Sequence, residues 1–337
     1  MKHVLEIGTA KAEPGTKANG AIIAGQHPAG SNLEMPVIVI NGAEDGPVLW
    51  LNACIHGDEP QGPLSMVFLM RELDPKKLRG AVVCVPAMNV PAFEAGKRGN
   101  PLDMFSYDMN RVYPGSPDGR FTERIAWAHR EALVANADME ISVHSGGDHS
   151  FLDKTIFRAH TDESTELAQA MGKGWKLLLS SPHPKGSPMA ELFEQGKAAI
   201  SIELGGYCHT MPDDFRQDGR DLADSFWNVL YHYDMVDGTP EYEDKWLTGT
   251  QQAVLANHSG LWVAEEGFEF LTPAKGGDVF ARIYSVYGDE LEQIKAPCDG
   301  MAFGLRTTPS THAGDWGIFY AILDGELNEL VHGPHKK

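Results

Sequence analysis

Two residues three apart, His56 and Glu59, stand in the run Asn52-Ala53-Cys54-Ile55-His56-Gly57-Asp58-Glu59-Pro60. Imidazole nitrogen and carboxylate oxygen are ordinary zinc ligands, and a catalytic zinc takes three protein ligands and leaves one position for water. This stretch offers two of the three, although a histidine and a glutamate at this spacing also occur in a plain solvated turn. Further candidates lie downstream. His144 opens His144-Ser145-Gly146-Gly147, and Glu203 ends the apolar run Ala198-Ala199-Ile200-Ser201-Ile202 before Leu204-Gly205-Gly206. His56, Glu59 and His144 would complete the ligand set of one zinc ion. Glu203 would be the base that takes a proton from a metal-activated water and returns it to the leaving nitrogen. A carboxylate in a buried strand needs a partner or a site, because burying an unpaired charge is costly. Asp58, between the two ligands, reads as a solvated turn residue or an outer partner of a ligand.

Each of these residues falls at the end of a predicted strand. Val48–Ala53 is a continuous apolar run, and Pro60 suits the first position of a helix over Gly62–Leu73. Strand runs at Val37–Ile40, Ala81–Pro86, Met139–Val143, Thr155–Phe157, Trp175–Leu179 and Ala198–Gly206 alternate with helical ones. The helices are Phe121–Asn136, Glu163–Met171, Met189–Phe193 and Leu222–Tyr233. Alternation of this kind predicts an α/β fold, a mixed sheet flanked by helices, with ligands at the strand ends. Met1–Asn32 offers one short strand candidate, Val4–Gly8. Past the polar stretch Asp237–Asp244 the texture changes to short strands at Ala253–Ala256, Leu261–Ala264, Val279–Val286, Met301–Leu305 and Ile318–Leu323. The expected organisation is therefore a hydrolase α/β domain over 1–236 and a smaller all-β barrel or sandwich over 245–337.

Between Met88 and Asp118 runs a polar, Pro- and Gly-rich segment too long for an idle connection. It carries Lys97-Arg98 and Asp108-Met109-Asn110-Arg111-Val112-Tyr113-Pro114-Gly115. Asn110 with Arg111 suits a substrate carboxylate, since guanidinium binds it in bidentate fashion. Arg98 would stabilise the oxyanion of a tetrahedral intermediate. In isolation, each arginine also reads as a surface salt bridge.

Composition narrows the partners. With 47 acidic against 28 basic residues the formal charge is −19, which argues against nucleic acid or an anionic membrane as partner. No apolar run approaches a membrane span or a signal-peptide core. Cys54, Cys84, Cys208 and Cys298 form no C-x-x-C pair. The expectation is a cytoplasmic protein in a reducing compartment.

The four motifs His56-Gly57-Asp58-Glu59, Asp108 to Gly115, His144-Ser145-Gly146-Gly147 and Ile202 to Gly206 occur in an order that resembles the succinylglutamate desuccinylase/aspartoacylase family. This is a branch of the zinc carboxypeptidase fold, and the likeness runs from about Pro36 to about Leu230. The resemblance implies one zinc on His56, Glu59 and His144, Glu203 as base and proton shuttle, Arg98 on the oxyanion, and Asn110 with Arg111 on a carboxylate. It implies a zinc-dependent deacylase acting on an N-acyl amino acid that carries a carboxylate. A metallocarboxypeptidase of short peptides and a non-catalytic metal-binding scaffold are the alternatives. The family usually has an aspartate two residues before its last metal histidine, whereas Ser142 stands here. Support for the ligands would then come from Asp58 or Asp138. The C-terminal strands would cap the active-site mouth, form a homo-oligomer interface, or do both.

Overall fold

The computed structural model describes residues 3–105, 107–180, 185–206 and 212–332. Strands β1 (Leu5–Ile7) and β2 (Ala10–Ala12) form a small hairpin, followed by β3 (Thr16–Gln26), β4 (Asn32–Asn41) and β5 (Glu44–Ala53). Helix α1 (Gln61–Glu72), strand β6 (Arg79–Val85), the short helix α2 (Val90–Ala95), helix α3 (Phe121–Asn136) and strand β7 (Met139–His144) come next. They lead to β8 (Ser150–Arg158), α4 (Asp162–Ala170), β9 (Leu177–Ser180), α5 (Pro188–Phe193), β10 (Ala198–Gly206) and the long helix α6 (Pro212–His232). The rest is strand: β11 (Trp246–Leu255), β12 (Gly260–Ala264), β13 (Pro273–Ala274), β14 (Val279–Tyr284), β15 (Glu290–Lys295), β16 (Gly300–Arg306), β17 (Ser310–Thr311) and β18 (Trp316–Leu327). Among the described residues no helix is long and apolar enough to cross a membrane.

One twelve-stranded mixed sheet, in the order β13-β16-β18-β11-β9-β8-β10-β7-β5-β6-β4-β3, runs through the molecule. Its centre is parallel: β7 lies between β5 and β10, and all three point the same way. Parallel strands are covered on both faces, which is why their sequences are continuous apolar runs. Leu49, Leu51 and Ala53 of β5 face one layer, with Met66 and Leu69 of α1 and Leu222 and Phe226 of α6. Trp50 faces the other, with Ile125 and Leu133 of α3 and Met189 and Leu192 of α5. Fully burying one such side chain contributes about 1.5–3 kcal/mol. These layers therefore fix the strands, and the strand ends inherit that rigidity.

Four of the strands beyond residue 245, β11, β13, β16 and β18, extend the same sheet, while β12, β14, β15 and β17 form a separate four-stranded antiparallel sheet. Strand β16 also pairs with β8, so β8, β9, β11, β18 and β16 close into a ring. Leu152, Leu177, Leu179, Met301, Phe303, Phe319 and Ala321 from these strands share one apolar cluster.

Several elements depart from the sequence expectation, and three of them have a plain reason. Strand β3 is eleven residues long where only Val4–Gly8 was expected in that region. It is an edge strand paired to β4 alone, so glycine, alanine and lysine suffice and the apolar signal is thin. Helix α6 starts ten residues before Leu222, its first turns being polar. Strand β15, Glu-Leu-Glu-Gln-Ile-Lys, buries only Ile294 and reads as a charged loop.

Trp50, Asn52, Glu140 and Ser142 share one face of the sheet. Asn52 Nδ2 donates to Glu140 Oε1 at 2.6 Å, and Glu140 Oε2, fully buried, has no partner among the described residues. Burial pushes the Glu140 carboxyl up to about 8, against the opposing pull of Asn52. A carboxyl raised on folding stabilises the fold fully below the ordinary glutamate range near pH 4.5. That contribution is lost as pH rises toward 8, by about 1.4 kcal/mol per pH unit in the window. Glu140→Gln should flatten the fall in urea midpoint between pH 5 and pH 8 relative to the wild type. An identical fall in both proteins would show that Glu140 ionises normally inside the fold.

Candidate active site

The carboxyl ends of β5, β7 and β10 converge. After β5 the chain turns sharply: Cys54 adopts the left-handed conformation with φ 50°, and the backbone of Met88 and Asn89 hydrogen-bonds to the carbonyls of Ala53 and Cys54 at 3.0 Å. A Cβ on Gly57 would lie 2.0 Å from the Ala92 carbonyl carbon, so glycine is required there for α2 to pack on the turn. This brace presents His56 and Glu59, both buried, toward the end of β7.

Glu59 joins the two histidines. Its Oε1 lies 2.8 Å from His56 Nδ1, and its Oε2 lies 3.0 Å from His144 Nδ1. Candidate ligand atoms of all three residues fall within 4.8 Å of one another, as one nitrogen-oxygen-nitrogen donor set. Burial alone would raise the Glu59 carboxyl, but the two histidines hold it well below the usual range. Burial lowers His144, which stays disposed toward the neutral form that a metal needs. This donor set fits a divalent metal. Glu203 is the register partner of His144 across the parallel pair β10 and β7, so strand pairing places it beside that candidate ligand. Its Oε2 is out of solvent with no hydrogen-bond partner among the described residues, and burial followed by the Glu59 charge pushes the carboxyl up.

The long segment closes the other side. Asp108 Oδ1 lies 3.2 Å from His56 Nε2, and Asp108 Oδ2 accepts from Arg98 Nη2 at 3.2 Å. Arg98 Nη1 is 3.8 Å from Glu59 Oε1. Asn110 and Arg111 stand in a 3-10 turn over Met109–Arg111, started by Asp108 Oδ1 accepting from the Asn110 amide at 2.9 Å. Arg111 Nη1 donates to the Asn110 carbonyl at 2.7 Å, and Asn110 Oδ1 is buried with no partner among the described residues. Beneath this turn Tyr113 OH lies 2.9 Å from His129 Nδ1, and Trp50 Nε1 donates to His129 Nε2 at 3.3 Å. Burial holds His129 down to about 3, so it is neutral and ties β5, α3 and the 3-10 turn together as a plain hydrogen-bonding ring.

His56, Glu59, Arg98, Asn110, Arg111, His144 and Glu203 all line one cavity of about 1240 Å³. The expected support for the ligands differs. Asp138 Oδ2 accepts from the Val48 amide at the far end of β5, and Asp58 Oδ2 accepts from the Asp148 amide; neither has a hydrogen bond to a ligand histidine. Asp108 takes that place for His56. For His144 the neighbour is Ser142, its Oγ 3.4 Å from Nε2. Asp108 was present in the quoted motif without a role, and only its position before the Asn-Arg pair signalled it. The outer wall also comes from the C-terminal strands, with Thr250, Arg306, Trp316 and Phe319. No sequence signal marked them.

Residues 45–226 match the succinylglutamate desuccinylase/aspartoacylase catalytic domain. The chain belongs to this family. A relative from Halomonas elongata, named N-alpha-acetyl-L-2,4-diaminobutyric acid deacetylase, is 30% identical over 296 residues, which is 83% of each chain. A succinylglutamate desuccinylase from Silicibacter sp. TM1040 has a similar fold, with a TM-score of 0.80 at 22% identity over 91% of this chain and 95% of that one. The product-bound ectoine utilization protein EutE (DoeB) from Ruegeria pomeroyi also gives 0.80 at 22% identity, over 96% of this chain and all of its own. A metallo-carboxypeptidase from Burkholderia cenocepacia has a similar fold, with a TM-score of 0.51 at 17% identity over 64% of this chain and 65% of that one. Family membership makes the chain an amide hydrolase of the deacylase type on a carboxypeptidase-like fold.

Proposed function

We propose that the protein is a zinc-dependent deacylase that removes the acyl group from the α-nitrogen of an amino acid. The observation that carries this is the convergence of the His56, Glu59 and His144 donor atoms beside an unpartnered, buried Glu203 carboxylate oxygen. Zinc held by these three residues would supply a Lewis acid that activates water and polarises the amide carbonyl. Glu203 takes a proton from the attacking water and delivers it to the departing amine nitrogen. Asp108 fixes the ring of His56 through Nε2 and, by holding Arg98, keeps a guanidinium where the carbonyl oxygen gathers negative charge. Asn110 and Arg111 bind the substrate carboxylate, and their turn is held from below by Tyr113 and His129.

The name of the Halomonas relative makes Nα-acetyl-L-2,4-diaminobutyrate the first substrate to assay. Zinc-loaded protein should hydrolyse N-acetyl amino acids at least about a hundredfold faster than dipeptides, by kcat/KM. Preference for dipeptides would transfer the site to the carboxypeptidase reading. Arg111→Ala should raise KM for the acylated amino acid by about 10- to 100-fold, the loss of a charge-assisted bidentate contact, with a smaller effect on kcat. An unchanged KM would remove Arg111 from the binding site.

A further inference from the structure

The cavity is larger than an acetylated amino acid needs. Its volume of about 1240 Å³ exceeds the roughly 300–1,000 Å³ of sites that enclose a drug-sized ligand. On the side of the closed strand ring its lining turns apolar, with Leu152, Phe157, Trp316 and Phe319. Trp316 meets Phe319 edge-on with ring centroids 4.8 Å apart, and Phe319 and Phe157 rest on the buried Phe303 ring at 6.0 and 6.1 Å. The rings make one continuous wall, and Trp316 is 47% exposed at the end of it. Apolar surface of this kind stays in water until a ligand covers it.

The charge on this wall is already committed. Arg306 Nη2 lies 3.2 Å from Asp315 Oδ2, and Arg306 Nε donates to the Thr308 carbonyl at 3.1 Å. The wall therefore suits an uncharged group.

Strand order decides which part of a substrate meets it. Asn110 and Arg111 stand on the β5 side of the metal position, since Asp108 of their turn meets His56 Nε2 and Tyr113 reaches Trp50 of β5 through His129. The apolar wall begins on the opposite side. Strand β8 pairs with β10 on the edge away from β7, with Thr155 opposite Glu203 and Leu152 opposite Gly205. Neighbouring strands lie about 4.8 Å apart, so the wall starts one strand beyond the proposed base. In an acylated amino acid the α-carboxylate and the acyl chain leave the amide from opposite ends. With the carboxylate on Arg111 and the carbonyl at the metal position, the acyl chain runs across β10 toward Phe157 and Phe319.

We infer that Leu152, Phe157, Trp316 and Phe319 form an acyl subsite that selects an uncharged acyl chain longer than acetyl. This rests on the reading of the cavity as an N-acyl amino acid deacylase site.

The test varies only the acyl chain on L-2,4-diaminobutyrate, as the Nα-acetyl, Nα-butanoyl and Nα-hexanoyl derivatives, on the zinc-loaded full chain. A buried methylene contributes about fourfold, so kcat/KM should rise by at least about tenfold from acetyl to hexanoyl. Trp316→Ala should cut that ratio by at least about fivefold, and Phe157→Ala is a second variant with the same expectation. A purely structural defect lowers all three substrates together and leaves the ratio standing, which overturns the assignment. An effect of Trp316→Ala confined to the amino-acid side chain, read at fixed acetyl, gives the wall to that side chain and also overturns it. Calorimetry with hexanoate and acetate, the acid products, is independent of turnover: hexanoate should bind at least about tenfold tighter, and Trp316→Ala should remove the difference. Hydrolysis with no gain from acetyl to hexanoyl sinks the subsite and spares the deacylase. Tighter hexanoate binding that Trp316→Ala abolishes, with no hydrolysis of any substrate, supports the subsite and sinks the deacylase. Equal binding of the two acids with no hydrolysis overturns both.

Discussion

Glu203→Gln is expected to lower turnover of an N-acyl amino acid by about 10²- to 10⁴-fold, the usual weight of a positioned general acid and base, while the protein still binds zinc. The substitution preserves volume and leaves the proposed metal set intact, because Glu59 and not Glu203 bridges His56 and His144. What it removes is the ability to accept a proton at an oxygen that nothing else in the described structure engages. The β10–β7 register pairs Glu203 with His144. Zinc content by mass spectrometry and kcat on the same sample separate the alternatives. Full zinc with full turnover would move the base elsewhere.

Glu59→Ala should act one step earlier. The Glu59 carboxylate lies between both histidines and near Arg98, and its removal takes away one of the three proposed ligands and the charge that His56 and Arg98 answer. Zinc should no longer co-purify, and activity should fall by more than about 10³-fold, since the metal supplies several kcal/mol of transition-state stabilisation. Addition of zinc in excess should recover only a small part. Retention of one tightly bound zinc per chain in this variant would exclude Glu59 from the ligand set.

The legible parts of this chain are those where burial on both faces forces an apolar run. β5, β7 and β10 each lead to a candidate ligand or base at the carboxyl end, and α3 matched its predicted span from Phe121 to Asn136. The convergence of residues 56, 59, 144 and 203 follows from parallel pairing: once β7 lies between β5 and β10, their ends meet.

Elements answering to weaker constraints were hidden. The edge strand β3 needs no apolar face of its own, and β15 is charged because one side of it meets water. The ring closed by β16 against β8 depends on pairing between residues about 150 apart, which no local pattern encodes. Asp108 meets His56 only because the 3-10 turn folds back over the candidate ligands, and the ring of Trp50, His129 and Tyr113 depends on three separate elements. In a helix, His129 looks like any other histidine.

The central claim is most directly tested by stripping the protein with a chelator and adding zinc back in steps while hydrolysis of Nα-acetyl-L-2,4-diaminobutyrate is followed. Activity should vanish on chelation, rise in proportion to added zinc and level off at one ion per chain. Hydrolysis that survives complete metal removal, or that needs two ions per chain, would contradict a single zinc held by His56, Glu59 and His144.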